Sequence, residues 1–169
     1  GSVRPAGGMV WAGMVAGTTE RALKEGDQGL CPGRGLAERR DGGYANYTRL
    51  ESKWTIPLPA GLTLRESMAL GTAGFTAALA LFQMVRNGQT PEMGPIVVTG
   101  ATGGVGSLAI DMLTRAGFEA HAITGKVEQF DWLIGLGDQQ CIARTGLYWG
   151  QRALGPARWS GGIDSGVGH

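Results

Sequence analysis

The sequence predicts an α/β fold whose second half is a parallel βαβαβ domain. From Gly94 onward, short runs rich in branched residues alternate with amphipathic stretches, and that order requires a parallel sheet with right-handed crossovers. A glycine-rich turn joins the first of these strands to the first helix. Residues 3–60 instead contain short strands and turns, with too few apolar residues to form a core alone.

The composition excludes several classes of protein. Hydrophobic residues make up 43% of the chain and the net charge is only +1, whereas a disordered chain has fewer apolar residues and more net charge. Glycine accounts for 31 of the 169 residues without a three-residue period, which excludes collagen. The charges are balanced and form no run of Lys or Arg, so we expect no binding to nucleic acid.

The sequence predicts neither a metal site nor a membrane span. Cys31, Cys141, His121 and His169 lack the spacing of metal ligands, and two cysteines cannot form a disulfide framework. The uncharged stretch Ser67–Val85 has the length of a membrane span. Its small and polar residues favour burial against a partner domain instead. We therefore expect a cytoplasmic protein.

The chain is predicted to divide into three parts, residues 1–60, 61–93 and 94–169. In the first part Val10–Val15 is an apolar run, and Lys24–Asp27 has the composition of a turn. Gly42-Gly43 predicts a second turn, followed by a strand that contains Tyr44, Tyr47 and Leu50. We interpret the two tyrosines as core or rim aromatics. The segment Pro57–Gly61 marks a linker.

A long helix is predicted after this linker. Thr63 and Glu66 have the spacing of a capping box, and Asn87-Gly88 ends the helix. Residues at helical spacing define its predicted buried face: Leu70, Ala73, Ala77, Leu81 and Val85. Gly71 and Gly74 are interpreted as positions of close packing.

The third part supplies the parallel sheet. Strands are predicted at Ile96–Val98, Glu119–Thr124 and Cys141–Ala143, and a fourth begins at Gly162–Asp164. Helices at Ser107–Arg115 and Val127–Leu136 connect the first three strands.

The turn after the first of these strands has the pattern of a dinucleotide-binding Rossmann loop. Residues 101–106 have the form A-x-G-x-x-G, where the usual motif is G-x-G-x-x-G. Gly103 and Gly104 would let the backbone approach a pyrophosphate, and Gly106 would let the helix pack on the strand. The predicted cofactor-binding residues here are Ala101, Thr102, Gly103, Gly104, Val105 and Gly106. A glycine turn with a purely structural role is the alternative.

The end of the second strand indicates which dinucleotide would bind. An NAD site has Asp or Glu at this point for the ribose 2′-hydroxyl, but this chain has Thr124, Gly125 and Lys126. A hydroxyl and a cation suit a 2′-phosphate, which a carboxylate would repel. The predicted cofactor is therefore NADP(H), with a solvated lysine as the alternative interpretation of Lys126.

These blocks together resemble the zinc-free medium-chain dehydrogenases/reductases, in particular the acrylyl-CoA reductase and quinone oxidoreductase branch. The resemblance rests on the glycine turn, Thr124–Lys126, Gly71–Ala77, Lys24–Asp27 and further blocks at Gly42–Ala45, Arg158-Trp159 and Gly162–Ser165. It implies a partial Rossmann domain preceded by part of a GroES-like β domain, and usually a homodimer. It also implies that Arg144 adds a charge near the 2′-phosphate and that Thr72 lies at the nicotinamide cleft.

The family implies NADPH-dependent reduction of an activated C=C bond in an acyl-CoA or enone, or of a quinone, without zinc. Its members are roughly twice as long as this chain, and their early Asn-Tyr-Lys-Asp segment has no counterpart here. We expect a truncated enzyme whose sheet is open at the fourth strand. A catalytically inactive NADP-binding or assembly fragment is the alternative, and no residue is predicted as the general acid.

Overall fold

The computed structural model describes residues 8–19, 22–36, 42–146 and 159–165. The chain forms two compact units, Gly1–Thr72 and Ala73–His169. The division into 1–60, 61–93 and 94–169 stays a prediction.

The first unit contains a three-stranded antiparallel sheet in the order β1-β2-β3. Its strands are β1 (Val10–Met14), β2 (Gln28–Pro32) and β3 (Ile56–Pro57). The predicted turn at Lys24–Asp27 is confirmed, because the N–H of Asp27 donates to the carbonyl of Lys24 and the strands meet on either side of it. The side chain of Cys31 on β2 is fully buried.

The strand predicted after Gly42-Gly43 is wrong, since residues 42–50 form no strand. Gly43 instead lies directly against β1: a Cβ at this position would lie 2.1 Å from the carbonyl oxygen of Val10. The free edge of β2 is taken by β3. Tyr44 and Tyr47 are therefore not core residues, and they are 80% and 83% exposed.

Helix α1 (Leu64–Arg86) begins with the predicted capping box. The N–H of Thr63 donates to Oε2 of Glu66 at 2.8 Å, and the N–H of Glu66 donates to Oγ1 of Thr63 at 3.2 Å. These bonds hold the pKa of Glu66 below its usual value. The helix is interrupted at Gly71, whose φ of 46° and ψ of −147° are non-helical. Glycine is therefore favoured at position 71 because it adopts a positive φ without strain. The predicted role of Gly71 in close packing did not include this requirement.

After Gly71, one face of α1 packs on the core of the second unit. Ala77 is fully buried, and Ala80, Leu81 and Met84 lie against the core. Val85 was predicted on this face but is 53% exposed. By helical spacing, Val85 shares a face of α1 with Phe75, Leu79 and Phe82, which are also exposed.

Among the described helices, α1 is the one whose length and apolar composition would suit a membrane span. The break at Gly71 leaves a continuous helix of about 22 Å beyond it, whereas the hydrocarbon core of a bilayer is about 30 Å thick. Packing on the core explains the apolar character of one face of α1, at Ala77, Ala80, Leu81 and Met84.

The second unit is built on a four-stranded parallel sheet in the order β6-β5-β4-β7. Its strands are β4 (Ile96–Thr99), β5 (Ala120–Thr124), β6 (Gln140–Ala143) and β7 (Gly161–Asp164). Helices α2 (Gly104–Arg115) and α3 (Phe130–Gly135) connect β4 to β5 and β5 to β6. The α/β fold with a partial Rossmann sheet is thus confirmed, and α3 is shorter than predicted because Val127–Gln129 forms a separate 3₁₀ turn.

The core of this unit lies between the sheet and its helices. Ile96 and Val98 of β4, Ile110 and Leu113 of α2, and Leu133 of α3 are all fully buried. Within the part of the chain that is described, β4 lies between β5 and β7, whereas β7 has no strand on its outer side.

A buried carboxylate joins β5 to β6. Asp138 accepts a hydrogen bond from the N–H of Ala122 at 2.8 Å and another from Sγ of Cys141 at 2.8 Å. Burial, followed by the carboxylate of Asp138, raises the pKa of the Cys141 thiol to about 12. Cys141 is therefore a protonated hydrogen-bond donor at physiological pH.

Candidate functional site

The glycine turn between β4 and α2 is a tight backbone loop. The N–H of Gly103 donates to the carbonyl oxygen of Gly100 at 2.8 Å, and the N–H of Ala101 donates to the carbonyl of Ile123 on β5. A Cβ at Gly106 would lie 2.5 Å from the oxygen of Gly100 and 2.8 Å from Cα of Ala101. Gly106 therefore lets the first turn of α2 lie directly on the end of β4.

The amino end of α2 faces outward from this loop. Gly103 stands at the N-cap and carries no side chain that could cap the helix. Gly103 and Gly104 are both exposed, whereas Ala101 and Gly106 are buried and Thr102 and Val105 are half-buried. Uncapped N–H groups at a helix N-terminus, together with the positive end of the helix dipole, favour a bound anion.

The end of β5 lies next to the turn. Oγ1 of Thr124, which is buried, lies 3.1 Å from Oγ1 of Thr102 and accepts a hydrogen bond from the N–H of Lys126 at 3.1 Å. Thr124 thus links the glycine turn to the segment that was predicted to select the dinucleotide.

Two exposed cations follow the carboxyl ends of β5 and β6. The guanidinium of Arg144 lies over Gly125, where a Cβ would meet Nη2 of Arg144 at 3.4 Å. Lys126 is exposed on the same segment. The structure therefore brings Thr124, Gly125 and Arg144 together beside the glycine turn. Thr72 belongs to the first unit, and its predicted position at the nicotinamide cleft stays a prediction.

Sequence reasoning assigned no role to the end of β7. Thr99, the last residue of β4, donates from Oγ1 to Oδ1 of Asp164. Oγ of Ser165 donates to the carbonyl oxygens of Thr99 at 2.5 Å and Gly100 at 3.3 Å. Asp164 and Ser165 stand where a fourth parallel strand ends, and this position was the signal that could have identified them.

A cleft of about 420 Å³ lies beside this strand end. It is lined by residues of α1, of the first turn of α2 and of β7, among them Thr76, Met84, Val105, Asp164 and Ser165. In open α/β sheets, ligands bind outside the carboxyl ends of the strands, where the strand order reverses. Here the reversal lies between β4 and β7, so the cleft is placed beside the crossover point of the sheet.

The described residues fit a dinucleotide. The backbone approach at Gly106, the uncapped start of α2 and the exposed cations at the end of β5 and β6 are the parts that a pyrophosphate and a ribose phosphate require. Among the same residues, no three His, Cys, Asp or Glu side chains are grouped so that they could hold a metal ion.

Solved structures with the same fold include oxidoreductases in complex with nicotinamide dinucleotides. The chain superposes on the YhdH oxidoreductase of Salmonella enterica, crystallised with NADP, with a TM-score of 0.88 and 36% identity; 93% of this chain and 48% of that chain are covered. It also superposes on YhfP of Bacillus subtilis, crystallised with NAD, with a TM-score of 0.87 and 41% identity; 92% and 47% are covered.

Curated relatives show the same partial coverage. The chain is 42% identical over 154 residues to YhfP of Bacillus subtilis, whose name describes a quinone oxidoreductase; 90% of this chain and 47% of the relative are covered. It is 40% identical over 159 residues to the acrylyl-CoA reductase AcuI of Ruegeria pomeroyi, with 94% and 48% covered. No protein-family model matches. The chain thus spans about half the length of these relatives.

Proposed function

The chain matches about half of a medium-chain dehydrogenase/reductase of the acrylyl-CoA reductase and quinone oxidoreductase type, and we propose that it binds NADP(H) at the turn between β4 and α2. The observation that carries the proposal is the backbone approach at Gly106 beside an uncapped helix N-terminus. NADPH supplies a hydride when bound, and the residues of this chain supply its binding and orientation.

The glycine turn would hold the pyrophosphate. Gly103 and Gly104 expose backbone at the start of α2, where N–H groups are oriented toward a bound anion. Ala101, Thr102 and Val105 complete the loop, and the bond between Thr102 and Thr124 fixes it against β5. A purely structural turn would not need an open, uncapped helix start.

The segment after β5 would select the 2′-phosphate. Lys126 and Arg144 carry positive charge, and Gly125 leaves room for the guanidinium to lie over the backbone. Arginine and lysine pair with phosphate through charge-assisted hydrogen bonds. The carboxylate that typically accepts from an NAD ribose hydroxyl is replaced here by Thr124.

The proposed reaction is zinc-independent reduction of an activated C=C bond in an acyl-CoA or enone, or of a quinone, in the whole protein of this family. The names of the relatives support this substrate class. The second candidate is a non-catalytic NADP-binding or assembly fragment, which the geometry of the glycine turn supports equally well, because that turn binds the cofactor and carries no catalytic group. A cytoplasmic location and assembly into a homo-oligomer are further parts of the proposal.

Titration with NADPH, followed by acryloyl-CoA, tests these proposals. Enhancement of NADPH fluorescence on binding, then oxidation of NADPH after acryloyl-CoA is added, would support the reductase. Binding without oxidation would support the fragment. If the chain does not bind NADPH at all, the cofactor assignment is wrong.

A charge reversal at Lys126 tests the 2′-phosphate assignment. Lys126→Glu removes one cation and introduces repulsion, so we expect NADPH to bind about 10- to 100-fold more weakly, the range for a charge-assisted hydrogen bond. The affinity for NADH should change little. Arg115→Glu makes the same charge change at the opposite end of α2 and serves as the control. An unchanged preference for NADPH over NADH in Lys126→Glu would contradict the assignment.

A further inference from the structure

We propose that Asp164 and Ser165 are positioning residues that hold the glycine turn in the conformation that binds the pyrophosphate. This inference rests on the proposed binding of NADP(H). Asp164 is the last residue of β7, the strand on the other side of β4 from β5, and Ser165 follows it directly. They therefore reach the turn from an element that carries none of the residues assigned to the cofactor.

The two side chains hold consecutive residues at the junction of β4 and the turn. Asp164 lies opposite Thr99 in the parallel register and accepts a hydrogen bond from its hydroxyl. Ser165 donates to the carbonyl oxygen of Thr99 at 2.5 Å and to that of Gly100 at 3.3 Å. The backbone is thus held at the residue where the strand ends and at the residue where the turn begins.

The carbonyl of Gly100 connects this contact to the phosphate-binding backbone. Its oxygen accepts from the N–H of Gly103, the N-cap of α2, at 2.8 Å. The same oxygen is the atom nearest to the absent Cβ of Gly106, at 2.5 Å. A shift of the Gly100 carbonyl would therefore act on the start of α2, directly through the hydrogen bond to Gly103 and through the close approach of the Gly106 backbone.

The opposite end of the same strand pair contains a matched set of bonds. Oγ of Ser160, just before β7, donates to the carbonyl oxygens of Gly94 at 2.7 Å and Pro95 at 3.3 Å, just before β4. Ser160 and Ser165 thus make the same kind of contact between β7 and β4, one far from the turn and one at the turn. Comparing the two separates an effect on the strand pair from an effect on the turn.

The test compares Ser165→Ala with Ser160→Ala in the full chain. Each loses two hydroxyl-to-carbonyl contacts, and Ser160→Ala also loses the hydrogen bond that Nε2 of Gln89 donates to Oγ of Ser160 at 2.8 Å. Both variants should therefore unfold at a lower urea concentration, Ser160→Ala at least as early as Ser165→Ala. Only Ser165→Ala should bind NADPH more weakly, by about three- to tenfold, which is the range of one neutral hydrogen bond. Ser165→Thr retains a hydroxyl and should restore the affinity. Thr99→Val, which removes the donor to Asp164, should weaken binding in the same direction.

A second ligand tests whether the loss of affinity arises at the part of the site that binds the pyrophosphate. 2′-Phospho-ADP-ribose keeps the pyrophosphate and lacks nicotinamide, so Ser165→Ala should lose affinity for it by the same factor as for NADPH. Equal NADPH affinity in Ser165→Ala and wild type would overturn the inference, and so would an equal loss in Ser160→Ala. A wild-type chain that does not bind NADPH would overturn the proposed function, and the inference with it.

Discussion

Replacing Gly106 by alanine places a methyl group where only backbone atoms surround it. The added Cβ would lie 2.5 Å from the oxygen of Gly100, 2.8 Å from Cα of Ala101 and 2.9 Å from the carbonyl carbon of Gly100. Contacts under 3.0 Å are essentially never seen for a real Cβ, so the backbone of the turn or of α2 must move by about 0.5 Å. No flexible side chain is available to move instead.

The expected change in the free energy of unfolding is the balance of two opposing contributions. Forcing an extra methyl group into a packed site costs about 1–3 kcal/mol, while alanine gains up to about 1 kcal/mol over glycine within a helix. We expect Gly106→Ala to lower the free energy of unfolding by up to about 2 kcal/mol on balance. The shifted turn should also weaken NADPH binding.

Gly104→Ala is the matched control, because it adds the same methyl group two positions earlier, at the first residue of the same helix. Its Cβ would meet only Cβ of Ala73, at 3.5 Å, which is an ordinary contact. Urea denaturation followed by circular dichroism gives the free energy of unfolding of both variants. If Gly106→Ala unfolds at the same urea concentration as Gly104→Ala, the reason given for Gly106 is wrong.

Further predictions concern the capping box and the half-buried thiol of Cys141. Thr63→Ala should lower the free energy of unfolding by about 1 kcal/mol, as measured by urea denaturation; Thr90→Ala, at an N-cap without a side-chain bond to the backbone, is its control. The folded-state pKa of Glu66 is lowered, so its contribution to the free energy of unfolding is present above the usual pKa of 4.5 and is lost as the pH falls through the lowered pKa. A difference in stability between Glu66→Ala and wild type that persists in acid would contradict this prediction. Cys141, with a pKa of about 12, should react with iodoacetamide at pH 8 far more slowly in the folded than in the urea-unfolded chain, as followed by mass spectrometry. Asp138→Asn should speed the reaction of Cys141 in the folded chain, because it removes the negative charge that raises the pKa of the thiol. If Cys141 of the folded wild type reacts as fast as in the unfolded chain, the raised pKa is wrong.

Local patterns predicted the second unit well. The branched run at Ile96–Val98 is a buried central strand, and the glycine turn after it leads into a helix. In the first unit, the capping box at Thr63 and Glu66 formed as expected. Each of these features depends on residues within a few positions of one another, so the sequence displays them directly.

Features that depend on distant contacts were missed. The helical spacing of Leu70, Ala73 and Ala77 continues across Gly71, and nothing in that spacing indicates a positive φ. The region after Gly43 has the composition of a strand, but its backbone lies against Val10, more than thirty residues earlier. The contacts of Asp164 and Ser165 with the turn follow from the parallel register of β7 on β4. Such a register is set by the assembled sheet.

The two parts of the proposed cofactor site differ in how freely they can vary during evolution. At Gly106 every side chain meets backbone atoms, so a mutation there lowers the stability of the chain as well as the affinity for the cofactor. Gly125, Lys126 and Arg144 are exposed, and a Cβ at Gly125 would meet only the guanidinium of Arg144, which can move. Changes of dinucleotide preference in related lineages should therefore arise at 125, 126 and 144, while the loop that holds the pyrophosphate stays the same.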